Sequence, residues 1–93
     1  MSAAGESRAA AEALPQWTLM SRLDCPLCSH FEAALMAWPQ GLGRFHLTVV
    51  NVDSSPALVE RYGMRVPVLL EGEREICALR FRPERAAAAL PSP

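Results

Sequence analysis

The chain has 93 residues, 51% of them hydrophobic and 20% charged, which fits one small globular domain with little core to spare. A formal net charge of −1, with all nine cationic residues arginine, excludes a strongly basic surface of the kind that binds nucleic acid or anionic membranes. No apolar run approaches the roughly 18 residues of a membrane span.

Residues 1–15 are rich in alanine, end at Pro15 and offer little to bury, so a flexible tail is expected there, followed by one domain over 16–90. The tail has neither a basic start nor an uninterrupted apolar core, which argues against a secretory signal and makes the cytosol the expected compartment. "QWTLMS", 16–21, reads as the first strand. A helix is expected after Cys25, with Pro26 in its first turn, an apolar stripe of Leu27, Phe31, Ala34, Leu35 and Trp38, and a stop at Pro39. "RFHLTVVNVD", 44–53, reads as a strand with apolar residues on both faces, which suits cover on both sides. In "SSPALVERYG" the spacing predicts a short helix with Ser55 as N-cap, Pro56 as its first residue and Gly63 as its stop. "VPVLLEG" and "EICALRF" are the third and fourth strands, joined by the tight turn "EGER", and "RPERAAAALP" is a last helix of about two turns.

The order is β-α-β-α-β-β-α. A right-handed crossover makes the first two strands parallel, and the close turn makes the last two antiparallel. The expected fold is therefore α/β, a four-stranded mixed sheet with helices on both faces, which is the thioredoxin-like topology.

"CPLC", 25–28, sits between the first strand and the first helix. Cys25 is expected at the helix N-cap, where side chains accept hydrogen bonds from the N–H groups of Leu27 and Cys28. Unsatisfied donors and the positive end of the helix dipole both favour a thiolate there. Cysteines in such motifs have pKa values lowered from ~8.5 into a range of roughly 3.5–7.5. The thiolate is the species that attacks a disulfide. Cys28, one turn on, can resolve the resulting mixed disulfide. A C-x-x-C in a βαβ context reads as a redox motif. Val66–Pro67 adds to it, because a proline opening a strand cannot join the ladder and an X-Pro bond can be cis at modest cost.

"CPLC" after a short strand, with "RVPVLLEG" further on, resembles glutaredoxin, and more closely a group of small bacterial glutaredoxin-like proteins with "VD" ending strand two and "YG-x-RVPVL" after it. The resemblance runs over roughly residues 17–90. It implies Cys25 as nucleophile, Cys28 as resolving thiol, Pro67 as a cis-proline beside them, and Val66 as a residue whose backbone meets a bound thiol ligand. Three positions depart from glutaredoxin. Leu27 stands where an aromatic is usual, Arg65 where a threonine is usual, and "CALRFRPE" lacks the Gly-Gly-Asp segment that holds one end of glutathione. Glutathione is therefore a doubtful ligand.

Rival readings are two structural cysteines, or a metal site drawing on Cys25, Cys28, His30, His46 and Cys77, although one C-x-x-C knuckle is half of a structural zinc pattern. Cys77 reads as a buried small hydrophobe, and His30 and His46 as helix and strand surface residues. Trp17 and Trp38 read as packing residues. Asp24 opposes a thiolate at Cys25, while Arg22 and Arg65 favour one and are candidates for holding substrate. Asp53 is expected to cap or flank the second helix. The function expected is thiol–disulfide oxidoreductase, with a non-catalytic binding module of the same fold as the alternative. Expected partners are protein or low-molecular-weight thiols and disulfides, with no nucleic acid, membrane, metal or cofactor, and the expected state is a monomer.

Overall fold

The computed structural model describes residues 14–91. Its elements are β1 (Gln16–Ser21), α1 (Pro26–Ala37), β2 (His46–Asn51), α2 (Pro56–Tyr62), β3 (Val68–Glu71), β4 (Arg74–Ala78) and α3 (Pro83–Ala89), the order expected. The sheet runs β2-β1-β3-β4. β1 is parallel to β2, with Ser21 opposite Asn51, and antiparallel to β3, while β3 and β4 form a hairpin. Gly72 turns that hairpin at φ 61°, the positive value that two-residue loops need and glycine adopts without penalty. Of the tail expected over 1–15, residues 1–13 lie outside the described residues; the Pro15 carbonyl accepts from the His46 N–H at 2.9 Å, so pairing with β2 begins there.

Strand alternation sorts the core onto two faces. Trp17 and Leu19 of β1, Leu69 of β3 and Cys77 of β4 meet Phe31 and Leu35 of α1 and Ala86 of α3. On the other face Val68 and Leu70 meet Val52, Tyr62, Val66 and Cys28, with Leu58 of α2 packed against them. Each fully buried Leu or Phe contributes roughly 1.5–3 kcal/mol. Trp17 stacks on Phe45 at 4.5 Å, and Trp38 meets Phe81 edge to face, so both tryptophans serve packing as expected.

Several expectations are corrected. The strand expected over 44–53 is shorter and lies at the sheet edge, not covered on both sides. It has one neighbour, its Val49 is 45% exposed, and the buried Val52 falls instead in a 3-10 turn over Val52–Ser54. Leu27 leaves the apolar stripe of α1 and is 58% exposed, because it lies in the first turn, beyond the sheet that Phe31 and Leu35 cover. Ser55 occupies the N-cap of α2 but its side chain makes no capping bond. Gly63 ends α2 with right-handed φ, so its lack of a side chain has another cause: a Cβ would stand 2.5 Å from the Val59 carbonyl oxygen and 3.3 Å from the Arg22 guanidinium. β4 ends at Ala78 rather than running to Phe81, since Leu79 has φ 70° and turns the chain away.

Cys77 is the free cysteine and is fully buried, as expected. Burial pushes its thiol pKa up, against smaller lowering effects of the Arg82 backbone and the Arg85 charge. The folded protein thus holds this proton more tightly than the unfolded chain, and stability should fall as pH rises past the unfolded thiol's value of ~8.5. Denaturant unfolding of the oxidised protein from about pH 7 to about pH 9.5 checks it. The midpoint should decline above pH ~8.5, and less so in Cys77→Ala; equal slopes in the two proteins would contradict the assignment.

Candidate active site

The cysteine pair sits beyond the C-terminal end of β1, where one connection leads to β2 on one side and the sheet continues to β3 on the other. Such ends are where open α/β sheets place ligands. Cys25 has extended backbone, φ −118° and ψ 102°, and its carbonyl accepts the first helical bond from the Ser29 N–H at 3.0 Å. Its sulfur accepts from the Cys28 N–H at 3.2 Å, so Cys25 caps α1 as expected; the anticipated second donor, the Leu27 N–H, does not contribute. Pro26 follows in the first turn, where a missing N–H leaves nothing unpaired.

The two sulfurs lie at disulfide distance with their Cα atoms 5.2 Å apart, inside the usual range for a bridge. Cys28 is 2% exposed, whereas Cys25 is half-buried. The Val66–Pro67 bond is cis. Val66 and Cys28 belong to one buried cluster and Cys25 packs against it, so this loop lies beside the cysteine turn. Pro67 is fully buried, and its carbonyl accepts from the Leu79 N–H at 2.7 Å. Leu79 holds that bond from a left-handed conformation that few residues adopt. Among the described residues the Val66 backbone has no backbone hydrogen-bond partner outside the regular elements.

The two arginines proposed to attract a thiolate are engaged elsewhere. Arg22 grips Asp53 with two hydrogen bonds, each 3.0 Å, and donates to the Gly63 carbonyl at 3.2 Å. Asp53, expected to cap or flank α2, spends its carboxylate on this pair, while Asn51 caps its N–H at 2.9 Å. Hydrogen bonding to Asp53, then its charge, push the Arg22 pKa further up. Arg65 pairs with Glu75 of β4. Asp24, just before the cap, is exposed and takes φ 55°, a value that aspartate tolerates better than most residues.

His30 and His46 are exposed, and Cys77 lies in the other core cluster from Cys28. Among the described residues no three His, Cys, Asp or Glu side chains are grouped to hold a metal ion. No described helix is long and apolar enough to cross a membrane. Three large apolar side chains near the pair in sequence or across the loop are open to solvent: Leu23, Leu27 and Met64, the last 96% exposed.

The Arg22–Asp53 clamp was not anticipated, yet it had a sequence signal. Two parallel strands ending in register at Ser21 and Asn51 bring the residues just beyond them together, and those include an arginine and an aspartate. A groove formed by Ser21, Ser29, Glu32 and Asn51 also escaped notice, because no motif marks it.

Comparison with known proteins adds three findings. The sequence model described as Glutaredoxin-like domain (DUF836) matches residues 16–91. No curated protein matches the chain. Among solved structures, the crystal structure of Trxlp from Edwardsiella tarda EIB202 is similar with a TM-score of 0.51 at 20% identity, covering 97% of this chain and 94% of that one. At that identity the likeness speaks for the fold, which is thioredoxin-like. With its family match spanning nearly all the described residues and carrying the Cys25–Cys28 pair, the chain belongs to the glutaredoxin-like domain family.

Proposed function

We propose that the protein is a thiol–disulfide oxidoreductase in which Cys25 is the nucleophile and Cys28 the resolving thiol. The observation that carries this reading is the asymmetry of the pair: Cys25 caps a helix and reaches solvent, while Cys28 is buried behind it. In the reduced protein a Cys25 thiolate is stabilised by the Cys28 N–H and the helix dipole. It attacks one sulfur of a substrate disulfide. A Cys25–substrate disulfide forms, the substrate S–S bond breaks, and the departing thiolate takes up a proton. Cys28 then loses its proton and attacks the Cys25 sulfur. The intramolecular disulfide forms and the second substrate thiol leaves. The substrate has gained two electrons and the pair has lost two; a separate thiol reductant restores the dithiol by the same exchange in reverse.

The Val66 backbone groups support the substrate side of this reading, since an extended segment could pair with them by strand addition. The exposed Leu23, Leu27 and Met64 favour a polypeptide over a small polar thiol. Arg22 and Arg65, held by Asp53 and Glu75, act here by fixing the loops around the pair and not as free anion ligands. A transient disulfide of this kind belongs in a reducing compartment, so we place the protein in the cytosol.

Two outcomes are expected. Cys25→Ser should abolish turnover of a disulfide substrate with dithiothreitol, while Cys28→Ser should accumulate a mixed disulfide at Cys25, visible by mass spectrometry; turnover in Cys25→Ser, or trapping at Cys28 or Cys77, would overturn the roles. Reduction of a glutathionylated peptide should show no saturation at low glutathione, because Arg65 is paired and the chain from Leu79 into α3 lacks the Gly-Gly-Asp segment. Efficient saturating turnover would make glutathione the ligand.

A further inference from the structure

β4 ends in a turn that its central residue does not favour. The Arg80 N–H donates to the Ala78 carbonyl at 2.7 Å and closes a three-residue turn around Leu79, which has φ 70°. This is the positive-φ form of the γ-turn, which is rare and strained. Among the described residues, Asp24 and Leu79 are the two other than glycine with positive φ. A short polar side chain such as aspartate can bond locally in that region; a branched apolar one gains no such bond, and its Cβ crowds the carbonyl that follows. Glycine is the default at such a point, as Gly72 shows in the β3–β4 turn.

The backbone therefore gives no reason for leucine at 79, and neither does the core. The side chain is 51% exposed and joins neither core cluster, although Ala78 before it and Phe81 after it both pack. An exposed leucine by itself means little. Leu79 is exposed at a position where leucine also strains the chain. Strain of this kind persists where the surroundings hold it, and it gathers at ligand contacts.

The holding contact is the bond from the Leu79 N–H to the Pro67 carbonyl, 2.7 Å long, which fixes the turn against the loop beside the cysteine pair. The end of β1, the start of β3 and the end of β4 lie side by side at one end of the sheet. Along that end come the Cys25 turn, then Val66–Pro67, then Leu79. Resting on the oxidoreductase reading above, we propose that Leu79 is a specificity-determining contact that takes an apolar side chain of the polypeptide substrate. Its pinned backbone presents the side chain before substrate arrives, which spares the cost of ordering a loop on binding. β1 and β4 are two strand spacings apart, roughly 10 Å, and an extended chain advances ~3.3 Å per residue. The side chain that Leu79 meets thus lies about three residues from the reacting cysteine.

The test uses the oxidised protein and peptides without a thiol, so it does not depend on turnover. Two peptides carry serine in place of a central reacting cysteine, with leucine in one and alanine in the other at the third residue to each side. Leu79→Gly and Leu79→Asn suit the turn better than leucine, so the denaturant midpoint should hold or rise. By NMR titration the leucine peptide should bind the parent protein tighter than the alanine peptide. It should lose about threefold to tenfold of its affinity in both variants, the effect of uncovering part of one leucine, and keep it in Leu79→Met. Equal affinity of the two peptides for the parent, unchanged affinity in both variants, or a falling midpoint in both would overturn the contact. Iodoacetamide should alkylate Cys25 equally fast in the reduced parent and reduced Leu79→Gly; a changed rate would mean that Leu79 acts through the pair, and would overturn it too. If the leucine peptide depends on Leu79 while Cys25→Ser retains turnover, the contact stands and the redox roles fall. If Cys25→Ser is inactive and the peptide ignores Leu79, the roles stand and the contact falls.

Discussion

One hydrogen bond sets the geometry of the site: the Cys28 N–H donates to the Cys25 sulfur. A helix start has donors with no partner inside the helix, and burying them unpaired is costly. Here the partner is a sulfur, where oxygen-bearing side chains are the common caps. The cap places Cys25 at the rim of α1 and turns Cys28 inward, one helical turn later, into the cluster with Val52, Tyr62 and Val66. The difference in exposure between the two sulfurs follows from their positions in that first turn.

The cap is held from both sides. α1 is anchored through Phe31 and Leu35 against β1 and β3. The loop before the cap is tied by Arg22, which joins the end of β1 to Asp53 after β2 and to the Gly63 carbonyl at the end of α2. Position 63 has no room for a side chain, since a Cβ there would run first into the Val59 carbonyl of the preceding helical turn and would also crowd the guanidinium. From Gly63 the chain runs directly to Val66–Pro67, and the Arg65–Glu75 pair and the Leu79 N–H secure that stretch to β4. Three loops from separate parts of the chain are thus fastened around the cysteine turn.

Much of this was legible in the sequence. β1, α1 and the hairpin announce themselves through alternation, a helical stripe and a Gly turn, and the C-P-L-C segment marks the helix start because proline suits its first turn. What was misread depends on neighbours. Val49 and Val50 suit a strand covered on both faces, yet how far helices cover a strand depends on its place in the sheet, and the local pattern does not carry the order that puts β2 at the edge. Leu27 has the right spacing for the core but lies past the end of the surface it would cover. Arg22 and Asp53 are 31 residues apart, and only the parallel register of β1 and β2 makes them partners. The Ser21 groove has no motif at all; it exists because α1 stops short of an edge strand.

The central claim is that the helix start stabilises negative charge on the Cys25 sulfur. The most direct measurement is the ultraviolet absorbance of thiolate, near 240 nm, in the reduced protein as pH is varied, with Cys25→Ser and Cys28→Ser as references. The account predicts one thiolate appearing below the ordinary cysteine value of ~8.5, within the range of roughly 3.5–7.5 seen for cysteines at helix starts, present in Cys28→Ser and absent in Cys25→Ser. Absorbance that rises only above pH ~8.5, or a low-pH thiolate that survives in Cys25→Ser, would contradict it.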